Sequence, residues 1–350
     1  MAITLVLLSH EYATSNAPDF GRWLPLFSQG SLGVRVFFVL SGFLITQLLV
    51  REHVATGTIS LRSFYARRTL RIFPVYCLYL LCLAALAALG LHHDAASTWL
   101  GALTFTRNVV GSGNSANLHL WSLAVEEQFY LLWPATIVFF GLSNRWRTAA
   151  GILAAVIVVS FASRLPECRD PSFFCLRILG VNAAVKSADA LAVGCLMAIL
   201  ESRGKIKKMS PTANTVLQWF CVLALIVSAI PLMHGSRLAN STALLVQAFL
   251  VGGAIYASIS ARPAQLAYRV LNCRAVVYLG LLSYSLYVWH MLFLSYYMGP
   301  AFANAALYDW RVWWIPALLV AMCSYHFYER PIASLRRRFR PPGHAIVTRP

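Results

Sequence analysis

Ten apolar stretches, most of them near twenty residues long, divide this chain and dictate a bundle of membrane-spanning helices. They run roughly over 1–13, 32–50, 72–91, 120–142, 147–163, 184–200, 214–233, 240–260, 276–297 and 311–328. About 20 apolar residues of helix cross the hydrocarbon of a bilayer. With 59% hydrophobic and 12% charged residues and a mean hydropathy of +0.65, the chain is too apolar for an ordinary soluble domain. Aromatic residues at 13%, ten of them tryptophan, suit side chains at the two interfaces. The length would admit two domains, yet charged linkers, low-complexity tracts and a fixed repeat are absent from the sequence. The expectation is an all-α, polytopic integral membrane protein of about ten transmembrane helices, one membrane domain over 1–335 and a basic tail over 336–350.

Basic residues in the connections set the orientation. Arg51, Arg62, Arg67, Arg68 and Arg71 fall in one connection, and Arg145 and Arg147 in the second after it. The same side of the membrane then collects Arg203, Lys205, Lys207 and Lys208, then Arg262, Arg269 and Arg274, and finally the tail from Arg330 to Arg349. Most of the 29 Lys and Arg residues thus lie on one side, which the positive-inside rule makes cytoplasmic, with both termini. This asymmetry and attraction to anionic lipid account for the net charge of +17. Nucleic-acid binding is excluded, because no basic face with interleaved aromatics stands apart from the membrane connections.

Cys77, Cys82, Cys195, Cys221 and Cys323 sit in or beside spans as packing residues, and Cys273 lies near a cytoplasmic span end. Cys168 and Cys175 share a connection expected to face outward, where oxidation is permitted; a disulfide and two free thiols are both open there. No metal-ligand spacing and no glycine-rich phosphate loop occur. The first stretch, Met1 to Ala13, has no positive n-region or cleavage site and does not read as a signal peptide. Thirteen residues of helix reach only about 20 Å, so the expectation is a truncated first span with more chain upstream.

The strongest chemical signal is the block Leu118–Pro134 (LHLWSLAVEEQFYLLWP), which sets His119, Glu126 and Glu127 at the head of an uncharged run. A carboxylate drawn into hydrocarbon costs about 2–3 kcal/mol or more, so an intramembrane acid is a functional hypothesis by default. His10 lies past the apolar part of the first stretch, in the outer half of a helix running outward; Glu126 sits at the same depth on a helix running the other way. A histidine and a carboxylate at matched depth suit a general base and its orienting partner. The competing reading of His10 is an interfacial side chain reaching headgroups, and Glu127 reads better as a structural neighbour. On the inner side, Arg67, Arg68 and Arg71 precede the third span, where guanidinium forks would hold phosphates; ordinary anchoring of the span is the alternative. Within SYSLYVWHM, His290 is either a hydrogen-bonded core histidine or functional. In YHFYERP, His326, Glu329 and Arg330 read as a structural clamp built on a Glu–Arg pair, and Thr98–Thr106 as a short re-entrant piece without a role.

Six stretches, in order, resemble the membrane-bound acyltransferase-3 family: LLSH ending at His10, GVRVFFVLSGFLIT at 33–46, GTISLRSFYARRTLRIFPVY at 57–76, LHLWSLAVEEQFYLLWP at 118–134, LGLLSYSLYVWH at 279–290 and YERP at 328–331. The resemblance covers nearly the whole chain. It implies transfer of an acyl group, commonly acetyl, from cytoplasmic acyl-CoA to a hydroxyl of a glycan or lipid-linked acceptor at the bacterial inner membrane, with no bound cofactor. By the family's motifs, His10 and Glu126 are the catalytic pair and Arg67, Arg68 and Arg71 receive acyl-CoA. His119, Ser122, Glu127, Tyr130 and His290 are supporting candidates. The family's first-helix arginine falls before Met1, in keeping with the short first span. Competing readings are a transporter or flippase using the buried His and Glu as a proton relay, and an inactive scaffold if the chain begins at Met1.

Overall fold

The structure, a computed structural model, describes residues 2–12, 30–110, 115–165, 183–206, 209–229, 235–294 and 312–339. Lipid offers the backbone no hydrogen-bond partners, so a chain this apolar must close its own bonds within helices. Every element among the described residues is helical. In chain order these are α1 (Ala2–Tyr12), α2 (Gly30–Thr56), α3 (Leu61–Ala88), α4 (Ala96–Leu103), α5 (Leu120–Phe139) and α6 (Trp146–Ala162). They continue with α7 (Ala183–Ser202), α8 (Pro211–Ser228), α9 (Arg237–Ile259), α10 (Leu266–Leu271), α11 (Arg274–Trp289) and α12 (Trp314–Cys323). A 3₁₀ turn, His290–Phe293, extends α11; a π-helical turn, Ser324–Glu329, extends α12 into α13 (Arg330–Ser334) and a final 3₁₀ turn.

Among the described residues, six helices are long and apolar enough to cross a membrane: α2, α3, α7, α8, α9, and α11 with its extension. The chain is therefore a multi-pass membrane protein. α1 and α6 are apolar but shorter. Each of the ten apolar stretches overlaps one of these helices or α5 or α12. The Cys168–Cys175 pair lies outside the described residues.

α2 is the hub, packed against α1, α5, α7 and α9. Its crossing with α7 is made at backbone distance: a Cβ on Gly42 would overlap the Leu191 carbonyl, and one on Gly194 the Val39 carbonyl. Small residues permit this approach, and in lipid it is packing of this kind that holds helices together. Gly30 and Gly33 serve α1 in the same way, against Ser9 and Ala2. By contrast α8 buries only Asn214 and Cys221 and turns Trp219 and Phe220 outward, as a peripheral helix in lipid would.

Tyrosines of α3 fix the segment leading into α5. Tyr76 donates to the Ala102 carbonyl (2.7 Å) and Tyr79 to the Ala116 carbonyl (2.6 Å). Asp94 accepts from Ser115 (2.7 Å) and Asn117 (3.0 Å), and Arg107 donates to Asn117 (2.9 Å). The Thr98–Thr106 segment is thus anchored as the short helix α4 and its following turn, and it sets the approach to His119, the residue before α5.

Candidate active site

At one end of the bundle, Glu52 near the end of α2 organises the connection into α3. Its Oε1 accepts from the Ser60 backbone N–H (2.9 Å), while Ser60 caps α3, and its Oε2 pairs with Arg67 (3.1 Å). Arg67 also donates to the Phe339 carbonyl (2.6 Å). Its guanidinium is therefore committed to holding the final turn against α3. Arg68 and Arg71, one turn on, carry neither hydrogen bond nor ion pair among the described residues; Arg68 lies over the Tyr130 ring at 5.2 Å. With Arg67, Arg330, Arg336 and Arg337 they line a broad cavity of about 640 Å³.

Arg68, Arg71 and Tyr284 also line a second, narrower cavity of about 240 Å³ reaching between α2, α3, α5 and α11. Glu126 projects into it from α5. One carboxylate oxygen accepts from Ser41 (2.7 Å) and the other from Tyr130 (3.3 Å), and the two hydroxyls are 2.9 Å apart. Phe37, Ser122 and Tyr287 close part of the wall. The Ser122 and Tyr287 hydroxyls are in contact, and Tyr287 donates onward to the His119 carbonyl (2.8 Å).

Behind that wall stands a histidine cluster, built by the end of α11. The last carbonyls of a helix have no partner within it. Here histidines supply two: the His290 Nδ1–H donates to the Tyr287 carbonyl (2.6 Å) and the His119 Nε2–H to the Val288 carbonyl (3.1 Å). With Nδ1 of the neutral His290 ring so engaged, its Nε2 is an acceptor. The His10 Nδ1–H donates to it at 2.8 Å, with the two rings stacked 5.1 Å apart. This chain of bonds assigns the tautomer of His10 and leaves the lone pair on its Nε2, the form a general base requires.

The sequence-predicted residues therefore fall into two groups. His10, His119 and His290 form the cluster; Glu126, Ser122, Tyr130, Arg68 and Arg71 line the cavity on the near side of Tyr287. The expected His10–Glu126 contact is not made: the hydrogen bonds of Glu126 go to Ser41 and Tyr130, and the imidazole is held by His290. A shared depth along the membrane normal, which is what the sequence reading rests on, does not determine which helix faces which. Among the described residues Glu127 makes no ion pair, and its Oε1 is buried without a hydrogen-bond partner. The Glu329–Arg330 clamp is replaced by hydrogen bonds from Ser285 (2.5 Å) and Ser324 (2.8 Å) to Glu329, while His326 pairs with Tyr278 (3.0 Å). Ser41 and Glu52 went unsuspected; an acid next to a polar span end and a hydroxyl within LSGFLIT are too common to stand out. Among the described residues no group of three His, Cys, Asp or Glu side chains is placed to hold a metal ion.

A sequence profile described as an acyltransferase domain, that of the acyltransferase-3 family, matches residues 1–324. The chain is also similar to the O-acetyltransferase OatA of Staphylococcus aureus strains NCTC 8325 and N315, 30% identical to each over 345 residues. That alignment takes in 89% of this chain and 53% of the relative, so the chain spans about half the length of the curated relatives it matches. No solved structure matches it significantly.

Proposed function

The chain belongs to the acyltransferase-3 family, and from that premise we propose that it is an integral-membrane O-acyltransferase that transfers an acyl group, acetyl as in the relatives' names, from acyl-CoA to a hydroxyl of a glycan or lipid-linked acceptor. One observation carries the reading: the arginine cavity and the narrow cavity share Arg68, Arg71 and Tyr284, and the histidine cluster stands directly behind the Ser122–Tyr287 wall of the narrow one. CoA has its phosphates at one end and a thioester at the tip of a thin arm. A broad cationic mouth leading into a narrow passage suits that shape, and unpaired guanidiniums suit phosphates. In this reading the arginine end faces the cytoplasm with both termini, the ten helices cross the membrane, and the histidine end faces outward.

The reaction is written as direct transfer. His10 Nε2 removes the proton from the acceptor hydroxyl as its oxygen attacks the thioester carbonyl. The tetrahedral adduct collapses with cleavage of the C–S bond, and the proton passes from His10 to the departing CoA sulfur. The products are the ester and the CoA thiol. While His10 carries the extra proton, its Nδ1–H bond to His290, relayed to the Tyr287 carbonyl, spreads the charge along polarised hydrogen bonds. Glu126 acts within the passage, fixing the Ser41 and Tyr130 hydroxyls and balancing the nearby Arg68.

The test is a thiol-release assay on protein in nanodiscs supplied with acetyl-CoA and candidate acceptor oligosaccharides, with ester formation followed by mass spectrometry. His10→Ala lowers the rate by about 10²-fold or more. Ester formation at the wild-type rate by this variant overturns the assignment of the base.

A further inference from the structure

The arginine mouth holds one side chain of the wrong sign. Among the described residues Glu329 is the one acid in its lining, set among six arginines. It forms an ion pair with none of them. Its two hydrogen bonds, from Ser285 on α11 (2.5 Å) and from Ser324 (2.8 Å), both end on Oε1. The second oxygen, Oε2, has no partner and is accessible rather than buried.

Packing accounts for half of this arrangement. Tying α11 to the π-helical turn takes Oε1 alone, and leaves the other oxygen unexplained. A carboxylate facing the cavity repels phosphates held on the guanidiniums. It therefore weakens the binding that the arginines provide, unless the same ligand brings it a hydrogen-bond donor. An N–H bond to a charged oxygen is about twice as strong as a neutral one, enough to turn that loss into a gain. The turn that carries Glu329 supplies the second part of a binding set. Ser324–Glu329 is π-helical, a rare geometry, and it brings Tyr325 to the same lining as Glu329. An aromatic ring, an anionic acceptor and a group of guanidiniums together match a purine nucleotide with an amino group. The base stacks on the ring, its exocyclic amine donates to the carboxylate, and its phosphates meet the arginines.

The order of the lining fits the order of the ligand. Tyr325 and Glu329 line the mouth and not the narrow passage, whereas Arg68, Arg71 and Tyr284 line both. CoA has its base at one end, its phosphates next and its thin arm beyond them. We propose that the mouth reads the base of the acyl donor: Glu329 Oε2 accepts a hydrogen bond from the exocyclic amino group of adenine, whose ring lies on Tyr325. Glu329 is then a specificity residue, which makes the cationic mouth a site for one nucleotide rather than for any polyphosphate. The choice of CoA rests on the acyl-transfer reading above; the pairing of an amino-purine nucleotide with Glu329 does not.

Binding separates the two. Protein in phosphatidylcholine nanodiscs is titrated calorimetrically with acetyl-CoA, adenosine 3′,5′-bisphosphate and inosine 3′,5′-bisphosphate. The two nucleotides carry the same phosphates, and inosine has a carbonyl where adenosine has the amino group. Adenosine bisphosphate is expected to bind about tenfold or more tighter. Glu329→Gln keeps an oxygen for Ser285 and Ser324 and turns an amide N–H toward the cavity, so the preference is expected to vanish or to pass to inosine. Tyr325→Ala is expected to weaken both nucleotides alike, by about tenfold. Equal affinity of the wild-type protein for the two nucleotides overturns the proposal, whether or not either variant folds. So does binding of neither nucleotide, an unchanged preference in Glu329→Gln, or indifference to Tyr325→Ala. Base indifference in a protein that still forms ester from acetyl-CoA leaves the acyl-transfer reading standing. Adenine-selective binding without ester formation overturns that reading and leaves the amino-purine site.

Discussion

At the scale of single residues, the informative pair is His10 with His290. Each ring nitrogen in the series is committed in one direction, from His10 Nδ1 to His290 Nε2 and from His290 Nδ1 to the Tyr287 carbonyl. His290 is thus a positioning residue, acting on the reaction through the ring of His10. His290→Phe keeps the shape and removes the acceptor; it is expected to lower kcat about tenfold or more while leaving the KM for acetyl-CoA unchanged. His290→Gln, whose amide oxygen can accept from His10, should recover part of the loss. Steady-state kinetics on the two variants decide the matter: equal loss in both, or a rise in KM alone, removes the orienting role. His10 itself stands out in the sequence as a candidate, because a histidine near the end of an apolar helix is chemically conspicuous. Its partner was not, since the two lie 280 residues apart and no periodicity links α1 to the end of α11.

Among elements, the α2–α3 connection shows how neighbouring arginines diverge. Arg67 is bound on both sides, by Glu52 and by the Phe339 carbonyl, whereas Arg68 and Arg71 face the shared cavities. Residues four apart share a helical face, which would set Arg67 with Arg71; the structure brings Arg68 and Arg71 into the narrow cavity instead, because Glu52 holds Arg67 toward the end of α2. Glu52 is 3% exposed, and removing one member of such a buried pair costs about 3 kcal/mol or more. Glu52→Gln is therefore expected to lower the stability of the folded protein by about that amount in denaturant unfolding. Arg71→Gln is expected to leave stability unchanged and to raise the KM for acetyl-CoA about tenfold. If the two phenotypes are exchanged, the division between clamp and ligand-binding arginines is wrong. The long helices themselves were readable from hydropathy, since lipid tolerates few alternatives. The 3₁₀ turn after α11 was not, although it is what presents His290; its cause is local hydrogen bonding that no apolar pattern records.

For the molecule as a whole, the arrangement is a broad arginine-lined mouth that leads into a narrow passage, with the histidine cluster behind the passage wall. If the acyl arm travels through the passage, blocking it should separate binding from chemistry, because phosphate contacts at the mouth and proton transfer at the histidines lie on different sides of the obstruction. Leu44 lines the passage and is 52% exposed, so a larger side chain there can be accommodated without rebuilding the core. Leu44→Trp is expected to leave acetyl-CoA affinity, measured calorimetrically, within about twofold of wild type, and to reduce ester formation by about 10²-fold, the scale of losing a positioned reacting group. Leu44→Ala, which widens the same point, should retain both. A tryptophan variant that still forms ester at the wild-type rate would mean that the thioester reaches His10 by another path. Loss of acetyl-CoA binding in that variant would place the phosphates deeper than the arginine mouth.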